Sequence, residues 1–204
     1  MSTSASYDGS KPSVAIVKYN AGNVRSVQFA LARLGVEPLL TDEQAARRAA
    51  SHVIFPGVGE ASSAMRYLRE HGLDEVIPSL TQPVLGICLG LQLMCRHSEE
   101  ANTTCFGILD ADVKRFEGNA KIPQIGWNTV HHDDSPLFAG IPQDAHFYFV
   151  HSFYAELGPN QVASTDYIVP FASAMKKDNF HAVQFHPEKS ADVGSQLLQN
   201  FLSL

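Results

Sequence analysis

The stretch Gly86-Ile87-Cys88-Leu89-Gly90 limits what this chain can fold into more than any other. Before it, Pro83-Val84-Leu85-Gly86-Ile87 is a short apolar run of the kind a buried strand needs. After it, Leu89-Gly90-Leu91-Gln92-Leu93-Met94-Cys95 can continue as a helix. Cys88 then occupies a sharp strand-to-helix turn with glycine on either side, where bulkier neighbours would collide with the backbone. The thiol also sits at a helix N-terminus, where unpaired N–H groups favour thiolate. That help is needed, because an ordinary cysteine, with a pKa of about 8.5, is mostly protonated at neutral pH. Taken alone, the five residues fit a nucleophile and a small buried cysteine beside a tight turn equally well.

Strand and helix patterns alternate around this turn. Val14-Ala15-Ile16-Val17 reads as a strand, followed by a helix with Val24, Val27, Ala30, Leu31 and Leu34 on its apolar face. Further strands at 52–55 and 83–87, with helices at 61–70 and 89–97, predict a parallel α/β layer. From Gly107 strands dominate, at 113–116, 146–150, 162–165 and 182–185, before a closing helix at 193–203. With 204 residues, 45% of them hydrophobic, the chain can bury one α/β core. We expect a single domain over 13–204, preceded at 1–12 by a serine-rich, disordered extension. A net charge of −6 argues against nucleic acid as a partner. No apolar run is long enough for a membrane span or a signal-peptide core, so a cytoplasmic protein is expected. Cys88, Cys95 and Cys105 follow no disulfide or metal pattern, and Cys95 reads as core.

Two further segments give the cysteine partners. Ala182-Val183-Gln184-Phe185 reads as a strand ending in His186-Pro187-Glu188, and residues two apart in extended chain project to the same side. A carboxylate there would hold the imidazole tautomer while the other ring nitrogen takes the thiol proton. Pro187 restricts the backbone between them. Upstream, Pro56-Gly57-Val58-Gly59 follows the strand Ser51-His52-Val53-Ile54-Phe55. Its glycines let backbone N–H groups approach a ligand, and acyl transfer needs such donors for its oxyanion. One donor is worth about 3–4 kcal/mol of barrier, and the N–H of Leu89 would be the second.

Pro56-Gly57-Val58-Gly59, Gly86-Ile87-Cys88-Leu89-Gly90-Leu91-Gln92, Gly126-Trp127-Asn128, His151-Ser152-Phe153-Tyr154 and His186-Pro187-Glu188-Lys189-Ser190 stand in one collinear order. With these motifs the chain, from about Ser13 to Leu204, resembles the triad-type (class I) glutamine amidotransferases. Within that class it is similar to glutaminase subunits that serve a separate cyclase subunit. The resemblance implies a flavodoxin-like, three-layer α/β/α fold with a mostly parallel central sheet. It implies hydrolysis of the L-glutamine side-chain amide, with Cys88 as nucleophile, His186 as acid and base, and Glu188 as its orienter. Gly57, Val58, Gly59 and Leu89 would surround the oxyanion, and Gln92 with the main chain of His151, Ser152 and Phe153 would hold the substrate's α-groups. No cofactor and no metal are implied. The partner would be the cyclase subunit, in a heterodimer, receiving ammonia through a tunnel, with Trp127, Asn128 and Lys189 at the interface. Phe153 stands where tyrosine is common, so no phenolic contact is expected there. Lys18-Tyr19-Asn20-Ala21-Gly22-Asn23 departs from the usual Asp-Tyr-Gly-x-Gly-Asn and is expected as a turn with a partner contact.

Val58 adds an expectation of its own. If the 57–58 peptide rotates to aim its N–H at the oxyanion, a β-branched residue is driven towards positive φ, which it resists. A resting enzyme would then lack one donor until its partner supplies the free energy. His131-His132-Asp133-Asp134 has a metal-site composition, but consecutive residues cannot all turn to one ion, so a solvated turn is expected. Three other readings stay open at this level. They are a different class I glutaminase, for which Gly126-Trp127-Asn128 would be unexplained, a thiol esterase, and a catalytically dead binding subunit.

Overall fold

A computed structural model describes residues 12–19 and 22–204 of the chain. The extension expected at 1–12 falls outside them apart from Pro12, as do Asn20 and Ala21 of the loop before the first helix. The strands are β1 (Val14–Val17), β2 (Leu39–Thr41), β3 (His52–Gly57), β4 (Val84–Cys88), β5 (His97–Ser98), β6 (Thr103–Thr104) and β7 (Asp112–Arg115). They continue with β8 (Gln124–His132), β9 (Ala145–His151), β10 (Phe153–Ala155), β11 (Gln161–Tyr167), β12 (Val169–Lys177) and β13 (Phe180–Val183). The helices are α1 (Val24–Arg33), α2 (Gln44–Ala49), α3 (Ala61–Glu70), α4 (Leu73–Val76), α5 (Leu89–Met94) and α6 (Ala191–Phe201).

In the order β2-β1-β3-β4-β13, all neighbours run parallel, and β12 then adds antiparallel to β13. Every residue of β1, β3, β4 and β13 is buried, as parallel strands covered on both faces must be. Alternation divides them between two cores. Ala15, Val53 and Phe55 pack with Met65 and Leu68 of α3 and Leu89 of α5. Ile16, Ile54, Leu85 and Ile87 face the other way, against Val27 and Leu31 of α1 and Leu197, Leu198 and Phe201 of α6. This is the three-layer α/β/α arrangement, with β3 and β4 at its centre.

The layer sets the carboxyl ends of β3 and β4 side by side, with Gly57 opposite Cys88 in register. Ligands bind at this end of an open α/β sheet. The structure corrects several boundaries. β3 runs on through Pro56 and Gly57, and α5 stops at Met94 because Cys95 is extended, with ψ 179°. β13 ends at Val183, so His186 lies beyond the ladder. Strands β2, β8, β10 and β12 and helix α2 carry no strong sequence period and were not anticipated. β8 takes in Gly-Trp-Asn together with His131 and His132, so the two histidines end a nine-residue strand and only Asp133 and Asp134 lie in the turn.

Candidate active site

Cys88 joins β4 to α5 with φ 56° and ψ −109°, a conformation that side chains rarely adopt. The flanking glycines have separate steric reasons. A Cβ on Gly90 would lie 2.0 Å from the carbonyl oxygen of Phe55 in β3. One on Gly86 would lie 3.0 Å from both the carbonyl carbon of Gly90 and the sulfur of Met94. The turn therefore exists because α5 is packed against the backbone of two strands, and the strain at Cys88 is sustained by that packing.

The histidine arrives differently. Its N–H donates to the carbonyl of Tyr148 in β9 at 2.9 Å, and its own carbonyl accepts from Ser190 Oγ at 2.7 Å. Pro187 opens a 3-10 turn over Pro187–Lys189, and this turn brings Glu188 Oε1 within 2.8 Å of His186 Nδ1. The two side chains meet through a turn, where strand alternation had been expected, because proline fixes φ at the first turn position. Both are buried. Burial disfavours the imidazolium, but hydrogen bonds to Cys88 and to Glu188, with the charges of both, outweigh it and push the His186 pKa up to about 10. The Glu188 Oε1 that His186 uses also accepts from Asn23 Nδ2. Asn23, at φ 74° on the end of α1, thus turns part of the expected partner-contact loop onto the triad.

The glycines of Pro56-Gly57-Val58-Gly59 also differ in kind. A Cβ on Gly57 would come within 2.2 Å of the Tyr19 hydroxyl, which is buried with no hydrogen-bond partner among the described residues. Burial raises the pKa of that phenol, as does the nearby charge of Cys88. Gly59 has φ 113° and open space around its Cα, and Val58 does not take positive φ.

A cleft of about 270 Å³ opens over Cys88 and His186, and Val58, Gly59, Leu89, Gln92, His151, Ser152 and Phe153 all line it. Gly57 stands just behind it, on the Tyr19 side. The His151 ring faces away from a substrate role. Its Nδ1 lies 2.7 Å from the Phe153 carbonyl and its Nε2 2.8 Å from the Gln124 amide, and burial pushes its pKa down to about 4. The neutral ring ties the end of β9 to β10, leaving the main chain to form the wall. Glu100 completes the cleft. It is half-buried, burial raises its pKa, and its Oε2 accepts from the N–H of Ala61 at 2.7 Å. Sequence reasoning passed over Glu100, since Ser98-Glu99-Glu100 reads as surface. The only available hint was a carboxylate eight positions after Gln92.

The expected interface residues divide. Trp127 is 52% exposed and Ile125 54%, both on one face of β8. Tyr148 of β9 meets the indole edge-on at 6.0 Å, and Lys189 Nζ lies 5.9 Å over the Tyr148 ring while lining the cleft rim. Asn128 points to the other face of β8, where its Nδ2 donates to the Asp166 carbonyl at 2.9 Å. His131 pairs with Asp144 at 2.5 Å, and His132 stacks on Phe138. Cys95 is fully buried, and burial raises its pKa, as suits a core thiol. Among the described residues, no group of three or more histidine, cysteine, aspartate or glutamate side chains could hold a metal ion. No helix among them is long and apolar enough to cross a membrane.

A strained cysteine beside a carboxylate-bound histidine, at the carboxyl edge of this sheet, is the arrangement of a triad-type amidotransferase. Residues 15–204 match the family described as glutamine amidotransferase class-I, and the chain belongs to that family. A solved structure described as a glutamine amidotransferase superposes with a TM-score of 0.73 at 20% identity, covering 93% of this chain and 97% of that one. Another, a glutamine amidotransferase from Thermotoga maritima, gives 0.63 at 18% identity over 94% and 83%. The narrower likeness lies in the sequences. Imidazole glycerol phosphate synthase subunit HisH of Bacteroides fragilis (strain YCH46) is 55% identical, over 94% of this chain and 99% of the relative. The subunit of the same name from Pasteurella multocida (strain Pm70) is 44% identical, over 93% and 96%. Within class I, this is the HisH family.

Proposed function

We propose that this chain is the glutaminase subunit of an imidazole glycerol phosphate synthase, acting through Cys88, His186 and Glu188. The observation that carries the reading is the convergence of Cys88 and His186 with Val58, Gly59 and Gln92 on one cleft, with Glu188 buried behind His186 and bonded to its Nδ1. L-Glutamine enters with its side-chain amide towards Cys88. The sulfur attacks the amide carbon, forming the C–S bond, and the carbonyl oxygen becomes an oxyanion. The N–H groups of Val58 and Leu89 receive it, worth about 3–4 kcal/mol for a single donor. His186 passes its proton to the amide nitrogen, the C–N bond breaks, and ammonia leaves. Water then adds to the thioester as His186 removes its proton, and collapse returns glutamate and the free thiol. Glu188, itself held by Asn23, keeps the ring oriented throughout. Glu100 and the Gln92 carbonyl oxygen face the α-ammonium group, and the main chain at His151, Ser152 and Phe153 faces the α-carboxylate. Thiol, imidazole and water supply all that this hydrolysis requires.

The ammonia is consumed by the cyclase subunit HisF, in a heterodimer, to form imidazole glycerol phosphate and an aminoimidazole carboxamide ribotide. The HisF-facing surface is the side of β8 and β9 that carries Ile125, Trp127 and Tyr148 beside Lys189, because it combines exposed aromatic area with the cleft rim. Asn128 serves that interface by fixing β8 against Asp166. Residues 13–204 act as one domain, in the cytoplasm.

The test is Cys88→Ala in the assembled synthase. Glutamine-dependent synthesis should fall by at least about a thousandfold, in keeping with loss of a triad nucleophile, while synthesis from added ammonium salt stays intact. Retained glutamine-dependent turnover would overturn the reading.

A further inference from the structure

Gln184 lies fully buried between the end of β13 and His186, and it touches two parts of the site at once. Its Nε2 is 3.7 Å from Cys88 Sγ, and its Oε1 accepts from Gln92 Nε2 at 3.0 Å. The Gln92 Nε2 also donates to the carbonyl of Phe153 at 2.9 Å. The Gln184 backbone is fixed as well, its N–H donating to the Ser173 carbonyl at 2.9 Å.

This chain of amides runs in only one direction. Turning the Gln184 amide over would point its oxygen at the sulfur and set its NH2 against that of Gln92. The order Phe153 carbonyl, Gln92 amide, Gln184 amide, Cys88 sulfur is therefore self-consistent. It has a consequence for Gln92, whose NH2 is committed to two protein acceptors. The carbonyl oxygen is the part of that amide left for the cleft, so Gln92 accepts from a ligand and does not donate to it.

We infer that Gln184 is a positioning residue of glutamine hydrolysis: its N–H steadies charge on the Cys88 sulfur, and its carbonyl sets the Gln92 amide with the oxygen towards the substrate. The inference rests on Cys88 being the nucleophile. An N–H donor matters most when sulfur carries charge, before attack and again as the thioester resolves, and least in the neutral thioester. The two ends of the side chain thus act on different kinetic constants. The end at the sulfur governs kcat and thiol reactivity, and the end at Gln92 governs KM.

Two variants separate them in the assembled synthase. Gln184→Glu keeps the shape and the acceptor for Gln92 but puts an acid beside the sulfur. It should lower kcat for glutamine hydrolysis by tenfold or more, leave KM within about twofold, and move the pH midpoint of Cys88 alkylation by iodoacetamide upward by about one unit. Gln184→Met loses both ends, so KM should rise severalfold in addition. A role in packing alone would lower the unfolding temperature without moving the alkylation midpoint. If Gln184→Met fails to fold, Gln184→Glu carries the test. An unchanged midpoint together with kcat within twofold of wild type, in a variant that assembles normally, would overturn the inference. Activity surviving in Cys88→Ala would instead overturn the reading beneath it, so the two failures are distinguishable.

Discussion

The elbow at Cys88 and the segment Pro56–Gly59 lie side by side at the carboxyl edge of the sheet, with Gly57 opposite Cys88, yet beyond Gly57 the two are held differently. At the elbow, backbone presses on backbone: Gly90 against Phe55, and Gly86 against Gly90. At the far end of the other segment, a Cβ on Gly59 would meet nothing within 4 Å, and one on Gly22 would lie 3.1 Å from Val58 Cγ2. The nucleophile accordingly has one place to be. Of the two residues proposed to receive the oxyanion, Leu89 is buried at the start of α5 and shares the fixity of the elbow, whereas Val58 lies beyond the end of β3, beside the open space at Gly59. If the 57–58 peptide turns to present the Val58 N–H, as the proposed function allows, a fixed thiol beside a donor that moves would tie ammonia release to the partner.

The largest effect is expected where the contrast is sharpest. Gly90→Ala sets a methyl group into the Phe55 carbonyl, a backbone atom that cannot swing aside. Destabilisation should reach about 3 kcal/mol or more, read from urea denaturation, with loss of glutaminase activity in whatever folds. A stable, active Gly90→Ala protein would show that the elbow is not fixed by this contact.

Glu188→Gln tests the histidine that this rigid thiol faces. Its charge partners raise the His186 pKa in the folded protein, so the stability they contribute is fully present below the ordinary histidine value of 6.5. It erodes above that and is gone once pH passes about 10. Wild type should therefore exceed Glu188→Gln in unfolding temperature most clearly near pH 6, and the gap should close towards pH 10. A gap that widens with rising pH would contradict the assigned sign. Gly59→Ala should be milder, costing about 1–2 kcal/mol of backbone strain at positive φ with no collision. A cost equal to that of Gly90→Ala would erase the difference between the two regions.

The same contrast bears on what was legible in the sequence. Gly86 and Gly90 could be read because the constraint that requires them is local to a strand-turn-helix, and turn chemistry is written in neighbouring residues. His186 and Glu188 were legible as a pair, but their meeting through a 3-10 turn was not. Asn23 and Glu100 were missed as site residues because nothing near them in sequence distinguishes a solvated polar side chain from one turned inward, whereas Gln184, two residues before His186, carried a hint in strand alternation that was not taken up. Their positions follow from contacts such as Asn23 to Glu188 and Gln184 to Cys88, across 165 and 96 residues. β8 was hidden for another reason: Gly126 and the His-His-Asp-Asp run mimic loop composition, and only its pairing with β9 and β11 makes it a strand.

The smallest effect is also the most informative. Val58→Gly removes a β-branched side chain that resists positive φ and leaves the rest of the segment intact. If rotation of the 57–58 peptide limits the resting enzyme, glycine lowers its cost by about 1–2 kcal/mol. Basal glutamine hydrolysis by the isolated chain should then rise roughly 5- to 30-fold on the same principle. The loaded complex, whose partner already supplies that free energy, should change little. The ratio between the two rates is the quantity that matters, because a general loosening of the cleft would alter both together. An activation ratio equal to that of wild type would remove Val58 from control of the oxyanion donor and leave the contrast with the elbow purely structural.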